Sequence, residues 1–166
     1  MARIRSQQPV LPSLLDRLID DDPDQTEDGA QSSPALLQGI RAGVRRDLEN
    51  LLNTRLYRQS AAIAPYPELT KSVLSYGLPD FSTVQLGSEE HRERLRAMIQ
   101  NTIERFESRL RRVSVDIVDT GEEQDRTLYL KITALLLVEP DPVPLLFDSR
   151  IHALDRMVRL RELRHG

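Results

Sequence analysis

Glu107 and Arg109 stand in FESRLRRVSV (106–115), where a helix-like spacing of apolar residues gives way to strand-like alternation. Charges at such a seam can serve catalysis, grip a partner or lie in water. For catalysis the candidate pair is Glu104 with Glu107, three apart and therefore on one face if the helix reaches that far. Two carboxylates hydrolyse a glycosidic bond when one of them keeps its proton at working pH. Glu and Arg alternate throughout 89–112, however, which is the pattern of a solvated, ion-paired face. With three Phe, four Tyr and no Trp, little is available to build a sugar-stacking cleft. His91, His152 and His165 lack metal-ligand spacing and cysteine is absent. No serine lies in a Gly-x-Ser-x-Gly elbow, and neither a phosphate-cradling glycine loop nor a dinucleotide fingerprint is present. The expectation is a protein that is not an enzyme, with no metal and no cofactor.

Binding is the remaining class. Arg105, Arg109, Arg111 and Arg112 cluster locally, and Arg156, Arg159, Arg161 and Arg164 follow near the end. A net charge of −3 and the lack of interleaved aromatics argue against nucleic acid. Arginine is also enriched where proteins meet proteins. In extended backbone Glu107 and Arg109, two apart, point the same way. Two readings stay open on spacing alone: the charges lock into a partner through charge-assisted hydrogen bonds, or they pair with each other or cap the helix end.

The elements that position these groups follow from periodicity. LPSLLDRLI (11–19) is a short helix, capped by Ser13, with Leu14, Leu15, Leu18 and Ile19 on one side. An acidic stretch, DDDPDQTEDGAQSS (20–33), reads as a solvated linker, so the short helix must dock on its own domain or on a partner. Ser33 and Pro34 open a second helix in which Leu37, Ile40, Val44, Leu48, Leu51 and Leu52 recur at helical spacing. Gly39 and Gly43, four apart on it, would permit a close approach but more simply reflect tolerance. After an irregular 57–87, with a helical turn near Glu68–Ser75, Ser88 caps a third helix whose stripe is Leu95, Met98, Ile99, Thr102, Ile103 and Phe106.

From there the period is two. Val113, Val115 and Ile117 form one strand, 119–125 a hairpin connection, and 127–138 a second strand with Leu128, Leu130, Ile132, Ala134 and Leu136 on one face. EPDPVP (139–144) must be extended, LLFDSRI (145–151) is a third strand, and the Arg-rich tail 152–166 reads as a helix with thin apolar support from Leu154, Met157 and Val158. The fold class is α+β: N-terminal helices packed on a small antiparallel sheet that leaves a free edge. The chain divides into a helix with acidic linker (1–33), a core domain (34–151) and the tail (152–166). No apolar run approaches the ~18 residues of a membrane span, and no secretory leader is evident, so a soluble, unsecreted protein is expected.

Five stretches in order, LLDRL (14–18), RRDLENLLNTR (45–55), YGLPDF (76–81), IERFESRLRRVSV (103–115) and LLLVEPDPVPLLFDSR (135–150), resemble the TssE family of type VI secretion baseplate subunits. That family is similar in turn to the wedge protein that joins the sheath in contractile phage tails. The resemblance covers about 11–151. It implies a structural subunit, cytoplasmic, in a baseplate docked at the cytoplasmic face of the inner-membrane complex. Its implied partners are TssF and TssG in the wedge, TssK in the baseplate, and the sheath pair TssB and TssC, whose strand pairing it would template. The family's seam motif is Glu-Pro-Arg; Glu107 and Arg109 match it, and Ser108 stands where the proline would be. With that match, Glu107 and Arg109 are expected to bind a partner, and Leu14, Leu15 and Leu18 to hold the wedge. The alternatives are an anti-adaptor regulator of the same fold and, more remotely, a muramidase-like hydrolase.

Overall fold

The computed structural model describes residues 13–18, 33–56, 66–79, 88–119, 127–138, 141–152 and 157–163. Their elements run α1 (Leu14–Leu18), α2 (Ser33–Asn53), two 3-10 turns (Pro67–Lys71 and Val73–Ser75), α3 (Glu89–Phe106), β1 (Leu110–Asp119), β2 (Thr127–Leu136), β3 (Val143–His152) and β4 (Val158–Glu162). The four strands form one sheet in the order β1-β2-β3-β4, each antiparallel to the next. The α+β class expected from the sequence is the class observed. The acidic linker (20–32) and the β1–β2 connection (120–126) lie outside the described residues.

Helices α2 and α3 cover one face of the sheet, α3 along β1 and α2 against β4. Ile40, Val44, Leu48 and Leu52 of α2, with Leu95, Ile99 and Ile103 of α3, meet Val115, Leu130, Ile132, Leu136, Leu145 and Phe147 from the strands. The core is aliphatic apart from Phe147, as the scarcity of aromatics requires. On the other face Asp116, Lys131, Asp148 and Arg161 stand opposite one another in one row across all four strands. Alternating sign along that row favours this register over a slipped one.

Four expectations need correction. The described part of the tail, 157–163, is not helical: β4 occupies Val158–Glu162, beside β3, and Leu154 lies outside the described residues. Val158 and Leu160 are buried while Arg159 and Arg161 are exposed, a period of two that completes the core, and Met157, counted toward a helix, is exposed. Ser88 occupies the N-cap of α3 without a side-chain capping bond, so the start of that helix rests on Glu89 and Glu90 near its positive end. Third, Glu107-Ser108-Arg109 is not extended, for Glu107 caps α3 and a turn follows. Last, the alternation in β1 carries a bulge between Arg111 and Ser114, with Arg112 at φ 51°. That extra residue lets both Leu110 and Val113 reach the core although they are three apart.

The described part of YGLPDF, 76–79, and the end of LLNTR, remote in sequence, lie side by side. Leu56 N–H donates to the Leu78 carbonyl at 2.8 Å and Leu78 N–H to the Thr54 carbonyl at 2.9 Å. Gly77, at φ 106°, makes this possible: a Cβ there would sit 2.4 Å from the Thr54 carbonyl oxygen. The link buries Leu78 completely at the end of α2.

Candidate functional site

At the seam, the end of α3 turns Glu107 inward, where it is only 7% exposed. Arg109 donates to it from Nε to Oε1 at 2.8 Å, from Nη2 to Oε2 at 2.5 Å and from its main-chain N–H to Oε1 at 3.1 Å. Arg109 Nη2 also reaches Asp47 Oδ2 on α2 at 2.6 Å. One guanidinium thus joins the α3–β1 seam to α2. The hydrogen bonds it donates to Glu107, and after them the one to Asp47, push the Arg109 pKa upward against the opposing effect of burial. Tyr76 packs edge-on against Phe106, ring centroids 5.3 Å apart. Burial, then the negative charges of Asp47 and Glu107, raise its pKa and keep its hydroxyl protonated. Local pairing, one of the two readings left open by the spacing, is the geometry present.

The network continues outward. Asp47 accepts at Oδ1 from Arg46 Nε at 3.2 Å and Nη2 at 3.1 Å, and Arg46 Nη2 donates to Asp16 Oδ1 of α1 at 2.6 Å. Asp16 is fixed in turn by Ser13, whose Oγ donates to Oδ2 at 2.6 Å and accepts from the Asp16 N–H at 3.2 Å. Ser13 therefore caps α1 as the sequence suggested. These bonds, the one from Ser13 foremost, hold the Asp16 carboxyl below the usual carboxylate range. Gly43 is buried beneath Asp16, with a built Cβ only 2.9 Å from its Oδ2, whereas Gly39 faces open space. Half of the Gly39–Gly43 pair thus accommodates a close approach.

Helix α1 consequently docks by its polar side. Leu14, Leu15 and Leu18 are 76%, 57% and 82% exposed. An amphipathic helix resting on its own domain would bury such residues.

A second polar cluster lies at the sheet edge. Val158 N–H donates to Asn53 Oδ1 at 2.7 Å, Asn53 Nδ2 donates to the Val158 carbonyl at 2.9 Å, and Leu160 N–H donates to Glu49 Oε1 at 2.7 Å. One turn apart on α2, Glu49 and Asn53 thus satisfy outward-facing backbone of β4 and close that edge at Val158 and Leu160. On β1, Arg96 of α3 approaches the Val115 carbonyl at a long 3.5 Å. Neither Asp47 nor Glu49 and Asn53 were singled out from the sequence. The available signal was their place in RRDLENLLNTR, which also holds Arg46.

Glu104 and Glu107 do not make a catalytic pair: Glu104 is exposed and accepts from Gln100 at 3.2 Å, while Glu107 is committed to Arg109. The local arginine cluster is likewise dispersed, with Arg109 drawn to Asp47 and Arg105 Nη1 near the Thr70 carbonyl at 3.4 Å. Among the described residues no group of three or more His, Asp or Glu is placed to hold a metal, and no helix is long and apolar enough to cross a membrane.

Among the described residues, helices cover one face of the sheet, ion pairs join α1, α2 and the α3–β1 seam, and the leucines of α1 face outward. The family described as "Baseplate wedge protein gp25" matches residues 38–141, more than half of the chain. The chain belongs to that family, the one that includes the TssE subunits, and its role is that of a structural component of a phage-tail-like baseplate. No curated protein and no solved structure gives a significant match.

Proposed function

We propose that this protein is the TssE-type subunit of a type VI secretion baseplate. It joins a TssF–TssG wedge to the contractile sheath and offers its sheet as the template on which TssB and TssC begin strand pairing. It meets TssK within the wider baseplate, works in the cytoplasm beneath the inner-membrane complex, and catalyses no reaction. The observation that carries this reading is the inverted docking of α1, which spends its polar side on Arg46 and turns Leu14, Leu15 and Leu18 outward. Exposed leucines on a tethered helix are a ready anchor for a larger subunit. The closed β4 edge supports the second half of the reading, because it leaves β1 as the side where an added strand meets less competition. Glu107 and Arg109 then act on the partner by fixing the β1 seam in place, with Arg109, about one-quarter exposed, as the member a partner can reach.

The test is co-purification with TssF, TssG and the sheath pair, using the full chain, a Leu14→Asp/Leu18→Asp variant and Arg109→Gln. The leucine variant should keep its melting temperature but fail to retain TssF and TssG, and Arg109→Gln should retain them while sheath assembly falls. Undiminished wedge binding by the leucine variant, together with normal sheaths in Arg109→Gln, would overturn the proposal.

A further inference from the structure

We propose that the groove between α2 and the end of β4 recognises an acidic, extended segment of a partner protein, independently of the α1 and β1 surfaces. It is lined by Gln38, Arg41 and Arg45 from α2, by Pro144 of β3 and Glu162 of β4, and by Leu163 just beyond β4, with a volume of about 420 Å³. Arg41 and Arg45 are one helical turn apart and face it together. Arg41 Nη1 lies 3.3 Å from Glu162 Oε1, while its Nε is buried with no hydrogen-bond partner. A guanidinium that has lost water at Nε without gaining an acceptor gains from any carboxylate that draws it forward. Arg45 is exposed, and no ion-pair partner for it occurs among the described residues. Two cations therefore line the groove against one carboxylate, which among the described residues pairs with Arg41 alone, and the groove carries a net positive charge on an acidic chain.

The strand edge adds a backbone element. Val158 and Leu160 present main-chain groups outward to Asn53 and Glu49; by the two-residue alternation the next outward position is Glu162, in the groove. A bare inorganic anion would have no use for that edge or for the apolar lip of Pro144 and Leu163. A peptide with acidic residues at alternate positions would use both, placing carboxylates on Arg41 and Arg45 and apolar side chains on the lip.

The probe is a fluorescent five-residue peptide alternating glutamate and valine, followed by anisotropy, with Arg41 Nε–H observed by NMR. Saturable binding that moves the Arg41 Nε–H resonance and weakens at least tenfold in Arg45→Glu is the expected result. Arg45 is solvent-exposed, so the variant should melt with the wild type, and Arg45→Lys should recover part of the affinity. No binding, equal binding by a lysine–valine peptide, or displacement by inorganic phosphate at the peptide's own concentration would each overturn the proposal.

Discussion

Arg109 is held by two carboxylates from different parts of the chain, Glu107 two residues before it and Asp47 on α2. Removing one member of such a partly buried group leaves the others desolvated and mispaired, which costs more than the intact group contributes. Asp47→Ala and Arg109→Gln should each lower stability by about 2–4 kcal/mol in denaturant unfolding, and the double variant should show a coupling of about 1–3 kcal/mol. Additive losses would mean that the two side chains do not act together. Asp16 makes a pH-dependent contribution. Its folded pKa is depressed, so its stabilisation of α1 docking is present above the usual carboxylate pKa of about 4 and is lost as pH falls through the lowered value. An NMR titration should show the Gly43 amide shifting with the Asp16 carboxyl in that range, and Asp16→Asn should abolish the coupled shift.

Among the elements, the 76–79 stretch depends on one glycine. At Gly77 a side chain faces both a positive φ and the Thr54 backbone, and neither can yield without separating Leu78 from the end of α2. Gly77→Ala is expected to cost more than about 2 kcal/mol, measured as a lowered unfolding midpoint with an unchanged m-value. The bulge in β1 works differently: by placing Arg112 at positive φ it re-aims Leu110 toward the core directly after the clasp. Helical and strand periods were readable from residues 34–53, 89–106, 127–136 and 145–151, because those elements bury one face each. Bulge, turn and edge cap were not readable, because each is fixed by a contact with a remote segment rather than by local spacing.

For the molecule as a whole, the two ends have opposite roles. Strand β4 buries Val158 and Leu160, each worth about 1.5–3 kcal/mol. Their joint loss is comparable with the lower end of the ~5–15 kcal/mol that separates folded from unfolded domains. Truncation after residue 152 should therefore abolish cooperative thermal unfolding. Among the described residues, deleting 1–19 removes exposed leucines and one partly exposed ion pair of ~0–1 kcal/mol, so the melting temperature should fall by no more than a few degrees. Calorimetry on the two truncations separates a strand that completes the domain from a helix displayed on it.

The sequence by itself determined the periodicities, the aliphatic core, the α+β class and the five stretches that carry the family likeness, since these depend on residue type and local spacing. Tertiary structure decided which charges meet. Asp47 lies 62 residues from Arg109, and Asn53 lies 105 from Val158. Nothing in local pattern distinguishes such a residue from its solvated neighbours. Tertiary structure likewise made a strand of an Arg-rich tail, because burial of Val158 and Leu160 against α2 and β3 outweighs the weak helical preference of the segment. It also decided that α1 turns its leucines to solvent, because Asp16 sits over Gly43 and is held there by Arg46, which sets the polar side of the helix against α2.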